Sequence, residues 1–372
     1  MAKYKITTMP GDGIGNEVME ACLLVLDALN FDAEYVHADI GWELWKSEGN
    51  PLPDRTIDIL KTTDAALFGA ITSLPKDEAE AELSPELKGK GLEYFSPIVR
   101  MRQEFNLHTN LRPCKAFPGN PLNYKDEIDL VVFRENTEGL YVGVEFHPVP
   151  QELMDTLVKY NPKAKRFAST PMDDIAISTR LFTRNGCRSI ITQGFEYAKK
   201  HGYKSVTIVE KPNVLRETSG MMIRVAREVE KNYPGIELWE ANIDAMTMWL
   251  VKNPSDYGVL VAGNMFGDII SDLCAQLVGG LGFAASGNIG DNFAVFEPTH
   301  GSAPKYAGQY IVNPTAMLLC GKMLLDYLGE KELAARLEAA IAAVIAEGKV
   351  RTYDLGGNSK TLDVAKAVIA RL

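Results

Sequence analysis

The sequence holds little of what sulfur and imidazole chemistry requires. Its five cysteines, Cys22, Cys114, Cys187, Cys274 and Cys320, are odd in number, widely scattered and without a C-x-x-C pair. That excludes a disulfide framework and a zinc ribbon, and the five read as reduced core thiols. Five histidines, His37, His108, His147, His201 and His300, show no H-x-x-x-H spacing, so metal chemistry falls to acids. Basic residues are outnumbered, 39 Lys and Arg against 49 Asp and Glu, for a net charge of −10. This argues against a nucleic-acid surface but leaves room for a local basic pocket that takes an anion. No transmembrane-length apolar run, signal-type apolar segment or arginine-rich transit segment is present, and the cytoplasm is the expected location. Repeats and low-complexity tracts are also missing.

What is present is alternation. Short β-branched or aromatic runs at 6–9, 65–70, 130–133, 206–209, 259–262 and 294–296 read as buried strands. Between them lie amphipathic stretches such as 16–29, with Met19, Cys22, Leu23, Leu26 and Leu29 on one face, and 218–232, with Met221, Val225 and Val229. Strands alternating with such helices predict an α/β protein with a largely parallel sheet covered on both faces, and 372 residues suffice for two domains. The stretch 142–174 breaks the rhythm with prolines, lysines and a short helix over 151–160, and reads as a projecting lid, dimer contact or surface insertion. Clean helical periodicity returns over 315–328 and 333–347.

The chemistry gathers at a few places. In Asn264-Met-Phe-Gly-Asp268-Ile-Ile-Ser-Asp272, two carboxylates four residues apart lie on one face of a helix that follows a buried strand. Hard oxygen ligands suit Mg²⁺ or Mn²⁺ rather than zinc, although acids near a helix N-terminus can also serve the dipole alone. Asp244, near a helix start, is either a cap or a third metal carboxylate. Arg102, Arg112 and Arg134 could clamp a polycarboxylate, because guanidinium groups bind carboxylates bidentately. Arg112 and Arg134 are expected at strand ends, Arg134 directly after Leu-Val-Val-Phe. Lys211, in Glu-Lys-Pro-Asn at the end of another strand, is either a base or a surface lysine. Gly11-Asp-Gly-Ile-Gly15 looks like a phosphate loop, but Asn16 stands where the dinucleotide fingerprint needs its third glycine, so a tight turn beside the cofactor is expected. The glycine- and proline-rich loop 296–314 can approach a dinucleotide through its backbone.

The run from Asn264 to Phe283, together with Gly-Asp-Gly-Ile-Gly, resembles the isocitrate and isopropylmalate dehydrogenases, the metal-dependent β-decarboxylating dehydrogenases, and matching motifs extend from Gly11 to Tyr353. The resemblance implies that family's two-domain α/β arrangement, not a Rossmann domain. A large cofactor-side domain would comprise 1–107 and 279–372, and a small domain, 108–278, would carry the dimer interface, the clasp-like segment and the metal acids. It implies oxidative decarboxylation of isocitrate to 2-oxoglutarate and CO₂ with NAD(P)⁺, in a homodimer with shared active sites. Homoisocitrate and 3-isopropylmalate are the alternative substrates. By the same resemblance Ser96, Ile98, Arg102, Arg112, Arg134 and Asn213 contact the substrate, and Asp268, Asp272 and the partner subunit's Asp244 hold Mg²⁺ or Mn²⁺. Lys211, also supplied by the partner, would help take the hydroxyl proton, and Tyr141 would protonate the enolate.

Glu297, His300, Gly301, Ser302, Ala303, Lys305, Tyr306, Asn313 and Tyr353 would line the cofactor. NAD-using members tend to have Asp-Ile after Ala-Pro and NADP-dependent isocitrate dehydrogenases Lys-Tyr, so Lys305-Tyr306 favours NADP⁺ over NAD⁺. Tyr353 agrees, while Gly357 stands where the NADP type places an arginine. Isocitrate-type members carry a serine and an asparagine before the first arginine. Ser96 is kept and Ile98 replaces the asparagine, at a cost of roughly 1 kcal/mol for one lost hydrogen bond. Ser-Pro-Ile-Val as a whole is similar to homoisocitrate dehydrogenases. A noncatalytic regulatory subunit usually loses a metal acid, the lysine or the tyrosine, and this chain keeps them all.

Overall fold

The computed structural model describes residues 2–372, with twelve strands: β1 (Tyr4–Gly11), β2 (Ala33–His37), β3 (Ala65–Ala70), β4 (Thr109–Lys115), β5 (Asp129–Glu135), β6 (Glu145–Phe146), β7 (Ile177–Ser178), β8 (Ser205–Glu210), β9 (Glu237–Asn242), β10 (Val259–Ala262), β11 (Ala285–Ile289) and β12 (Ala294–Pro298). Ten of them form one sheet in the order β2-β1-β3-β12-β11-β4-β5-β10-β8-β9. Both wings are parallel, as the strand–helix alternation predicts. The centre is not, because β11 pairs antiparallel with β12 and β4, and β4 antiparallel with β5. Strands β3, β8 and β10 are buried along their whole length, which is why they read as continuous apolar runs. Strands β2, β4, β9 and β11 escape that reading: they carry Glu, Tyr, Asn, Arg, Pro and Ser among their apolar residues, so no short apolar run marks them.

The helices fall close to the expected spans. Gly15–Ala28 follows β1, Gln151–Tyr160 is as expected, Thr315–Tyr327 and Lys331–Glu347 match the C-terminal periodicity, and Thr218–Val229 stops short of 232 in a single 3-10 turn. The irregular segment extends past 174, since β6 and β7 pair with each other as a separate two-stranded sheet around the Gln151–Tyr160 helix. All five cysteines are buried and free.

The cores divide in the same way as the sheet. Clusters around Val18, Leu26, Leu318 and Leu337, around Phe68 and Met101, and around Trp45 draw almost wholly on residues up to 107 and from 283 onward. Those around Ile190 and Val225 and around Leu250 and Ile270 draw mainly on residues 114–278. Phe117 crosses the division and packs on Phe283, with ring centroids 6.5 Å apart. No helix among the described residues is long and apolar enough to cross a membrane.

Candidate active site

The antiparallel centre of the sheet places Asn288 of β11, Asn110 of β4 and Arg134 of β5 side by side in register. Residues two apart on a strand share a face, so Arg112 joins Asn110 and Arg134 on one side, while Leu111 and Phe133 point to the other. Arg112 therefore lies in the middle of a central strand, not at a strand end as expected. Its proline neighbour and two lysine- and asparagine-bearing flanks disguise β4 as loop. Arg102 enters from the Pro97–Glu104 helix, and all three arginines are buried.

Their charges meet Asp268. Its carboxylate pairs closely with Arg134, lies 3.2 Å from Arg112 and accepts a 2.7 Å hydrogen bond from the Tyr141 hydroxyl. Burial pushes the Asp268 carboxyl up, but Arg134, Arg112 and the Tyr141 hydrogen bond outweigh it and hold it below the usual range. Burial, followed by the neighbouring Arg112 and Arg102 charges, brings Arg134 down to about 9, which still leaves it protonated at neutral pH. Burial and the bond to Asp268 raise the Tyr141 hydroxyl, so at neutral pH it carries a proton to give. The approach of the Asn264–Leu277 helix to β5 depends on Gly267, where a Cβ would come within 2.7 Å of the Arg134 Cβ.

A cavity of about 270 Å³ opens over this cluster, with Arg102, Arg112, Arg134, Tyr141 and Asp268 on one side. Ser96, Ile98, Val99, Ile71 and Phe68 line it as well, so one hydroxyl is set in a largely apolar wall. Glu297, Thr299, His300 and Gly301 also line it. The Glu297 carboxylate accepts from Arg102 at 3.2 Å and from Asn288 at 2.8 Å, so it lies at this cavity beside the arginines.

The remaining loop residues are held by the glycine turn near the N-terminus. Gly11 and Gly13 have φ of 71° and 53°, and a Cβ on Gly13 would sit 2.2 Å from the Ser302 carbonyl oxygen. Ile14 N–H donates to that carbonyl at 2.9 Å, and the Thr72 and Ser302 hydroxyls are 2.6 Å apart, so the turn braces 300–303 from below. The Asp12 carboxylate fixes the turn by accepting from the Trp42 and Thr72 amides. Lys305 lies 4.7 Å from the Tyr306 ring centre, and Tyr306 stacks obliquely on exposed Tyr353 at 5.6 Å. Asn313 is buried and donates to Asp354 at 3.0 Å. A Cβ on Gly357 would lie 2.0 Å from the Arg351 carbonyl oxygen, which explains why no larger residue stands there.

Lys211 and Asp244 lie elsewhere. Lys211 follows β8, whose last residue Glu210 is fully buried and pairs with Arg180 at 2.9 Å, and its ammonium pairs with Asp244 at the start of the Ile243–Lys252 helix. Asn213 and Val214 beside it are exposed. Among the described residues, no group of three His, Cys, Asp or Glu that could hold a metal forms within one chain. Asp268 and Asp272 do offer hard oxygens on one helical face, and Asp272, its carboxyl raised by burial, keeps 62% of its side chain open. Two such carboxylates are of the donor type that suits Mg²⁺ or Mn²⁺. Sequence reasoning missed Ile71 and Asn288 altogether. Asn110 was within reach through its two-residue spacing from Arg112.

The family described as isocitrate/isopropylmalate dehydrogenase matches residues 5–368. A 3-isopropylmalate dehydrogenase of Methanothermobacter thermautotrophicus is 41% identical, over 100% of this chain and 99% of its own. An isocitrate/homoisocitrate dehydrogenase of Thermus thermophilus is 39% identical over 99% of this chain and 98% of its own. Protein DlpA of Legionella pneumophila is 40% identical over 98% of this chain, which spans 58% of that protein's length. The crystal structure of isocitrate dehydrogenase from Methylococcus capsulatus superposes with a TM-score of 0.85 at 36% identity, covering 99% of each chain.

Proposed function

We propose that this chain, which belongs to the isocitrate/isopropylmalate dehydrogenase family, oxidatively decarboxylates isocitrate to 2-oxoglutarate and CO₂ as a cytoplasmic homodimer, with NADP⁺ favoured over NAD⁺. The family is one of metal-dependent β-decarboxylating dehydrogenases that use NAD(P). The observation that carries the reading is the convergence of Arg102, Arg112 and Arg134 on one cavity with Tyr141 and Asp268. Three guanidinium groups match the carboxylates of a 3-substituted malate, and Ser96 gives a hydroxyl to the distal one. Exposed Lys305, over the Tyr306 ring, supports a 2′-phosphate partner.

When bound, a divalent cation on Asp268, Asp272 and the partner subunit's Asp244 supplies positive charge beside the reacting oxygens, and the nicotinamide supplies a hydride acceptor. The chain's own residues do the rest. The arginines fix the malate carboxylates and neutralise them. Lys211 from the second copy takes the proton of the substrate hydroxyl, and Tyr141 donates its phenolic proton to the enolate carbon left by decarboxylation. That Lys211 and Asp244 pair with each other, apart from Asp268, supports a site completed by two chains. We place the domain division at 107 and 279, a reading supported by the two groups of cores.

A second reading rests on the wall formed by Ile98, Val99 and Ile71. An apolar lining there favours 3-isopropylmalate, or the longer arm of homoisocitrate, over a carboxylate close to C3. Steady-state reduction of NAD⁺ and NADP⁺ with Mg²⁺ separates these, by kcat/KM for isocitrate, homoisocitrate and isopropylmalate. A preference for isocitrate with NADP⁺ supports the first reading, and a preference for either other acid makes the apolar wall the determinant. Turnover of none of the three would sink both.

A further inference from the structure

Each of the three arginines gives its Nε–H to the side-chain oxygen of a buried asparagine. Arg102 donates to Asn288 at 2.9 Å, Arg112 to Asn110 at 2.6 Å and Arg134 to Asn264 at 2.9 Å. The asparagines are 0%, 0% and 1% exposed and come from β11, β4 and the start of the Asn264–Leu277 helix. A guanidinium is a planar fork, so holding Nε fixes its plane and aims its two terminal nitrogens at an anion. An amide oxygen does this without adding negative charge. Arg180 differs in that its contacts run through its terminal nitrogens, to the Glu210 carboxylate at 3.0 and 2.9 Å and to the Thr218 and Ser219 hydroxyls.

Two of the three are joined. Asn288 Oδ1 also accepts from Asn110 Nδ2 at 2.9 Å, so Arg102 and Arg112, from different elements, are referred to one rigid pair of amides. Asn288 Nδ2 donates to Glu297 at 2.8 Å, which fixes the amide's orientation. Asn264 differs. Its Nδ2 has no partner among the described residues, and the bond to Arg134 is the one that its side chain makes.

Resting on the polycarboxylate reading above, we infer that Asn110, Asn264 and Asn288 are positioning residues: by holding Nε they set the planes of the three substrate arginines and so aim the terminal nitrogens, which here meet Glu297, Asp268 and Asp272, at the substrate's carboxylates. Both malate carboxylates stay intact from binding through hydride transfer, before CO₂ leaves, so with hydride transfer limiting turnover the loss of an asparagine raises KM and leaves kcat nearly in place.

The test is Asn264→Leu in the full-length protein. It removes the acceptor while keeping a branched side chain of four heavy atoms, and it disturbs no second partner. Expected is a rise of roughly tenfold or more in KM for the preferred malate, from losing one charge-assisted hydrogen bond, with kcat, KM for the dinucleotide, the Mn²⁺ dissociation constant and the melting midpoint close to wild type. Should that variant fail to fold, Asn264→Ser shortens the side chain out of reach of Nε with a smaller change in packing. A folded variant whose malate KM stays within twofold of wild type overturns the inference. So does a joint decline of kcat, both KM values and the melting midpoint, which marks an asparagine that only supports the fold. Calorimetric binding of L-malate to wild type and variant decides the point even if no malate is turned over, so failure of the activity reading remains distinct from failure of this one.

Discussion

Glu338, on the Lys331–Glu347 helix, sits 2.9 Å from Lys115 and 3.1 Å from Lys322. Burial alone would raise its carboxyl, but the two lysines outweigh that and hold it below the ordinary range. A depressed carboxylate contributes stability above its unfolded pKa and loses it as pH falls through the folded value. Glu338→Gln should therefore lower stability by about 1 kcal/mol at pH 7, partial exposure limiting the effect. The difference from wild type should close below about pH 4, as followed by urea unfolding across pH. A gap that persists at pH 3 would show that shape, not charge, holds this helix to β4. At this scale much of the candidate cluster was legible: a carboxylate pair at i, i+4 and an arginine closing an apolar strand stand out in the sequence, and the fold brings Asp268 and Arg134 together. The pairing of Glu297 with Arg102 was not, because the two are distant in sequence and only the fold brings them together.

The Asn264–Leu277 helix lies against β5 so closely that Gly267 faces Arg134, with a Cβ there 2.7 and 2.8 Å from the arginine's Cβ and Cγ. Gly267→Ala gains at most about 1 kcal/mol of helix propensity and loses about 1–3 kcal/mol to overpacking. Expected is a lower melting midpoint together with a higher substrate KM, since Asp268 and Arg134 move apart. An unchanged midpoint would mean that the helix can slide outward freely. Strong periodicity made most helices readable from the sequence, whereas β4 and β11, strands whose side chains are polar on the site face, were not. Their polar residues are satisfied by each other and by partners distant in sequence, such as Arg102, Glu297 and Ser271.

Across the whole molecule, Tyr141 and Asp268 lie together, Lys211 and Asp244 lie together, and the two pairs stay apart. If two copies share each site, Tyr141→Phe and Lys211→Met chains should each be nearly inactive alone. Unfolded and refolded in equal mixture, they should recover roughly a quarter of wild-type activity, because half the dimers are mixed and each mixed dimer keeps one intact site. No recovery despite mixed dimers would place both residues in one chain's site. Sequence by itself determined the α/β class, most helices and the family, and it marked the carboxylate pair and the arginines as candidates, since each is written in local periodicity or in a contiguous motif. Tertiary structure alone decided the antiparallel centre of the sheet, the pairing of Glu297 with Arg102, the asparagines behind the arginines and the separation of Lys211 from Asp268. Those depend on register between strands distant in the chain, and a buried polar group shows its purpose only when the partner that satisfies it is in place.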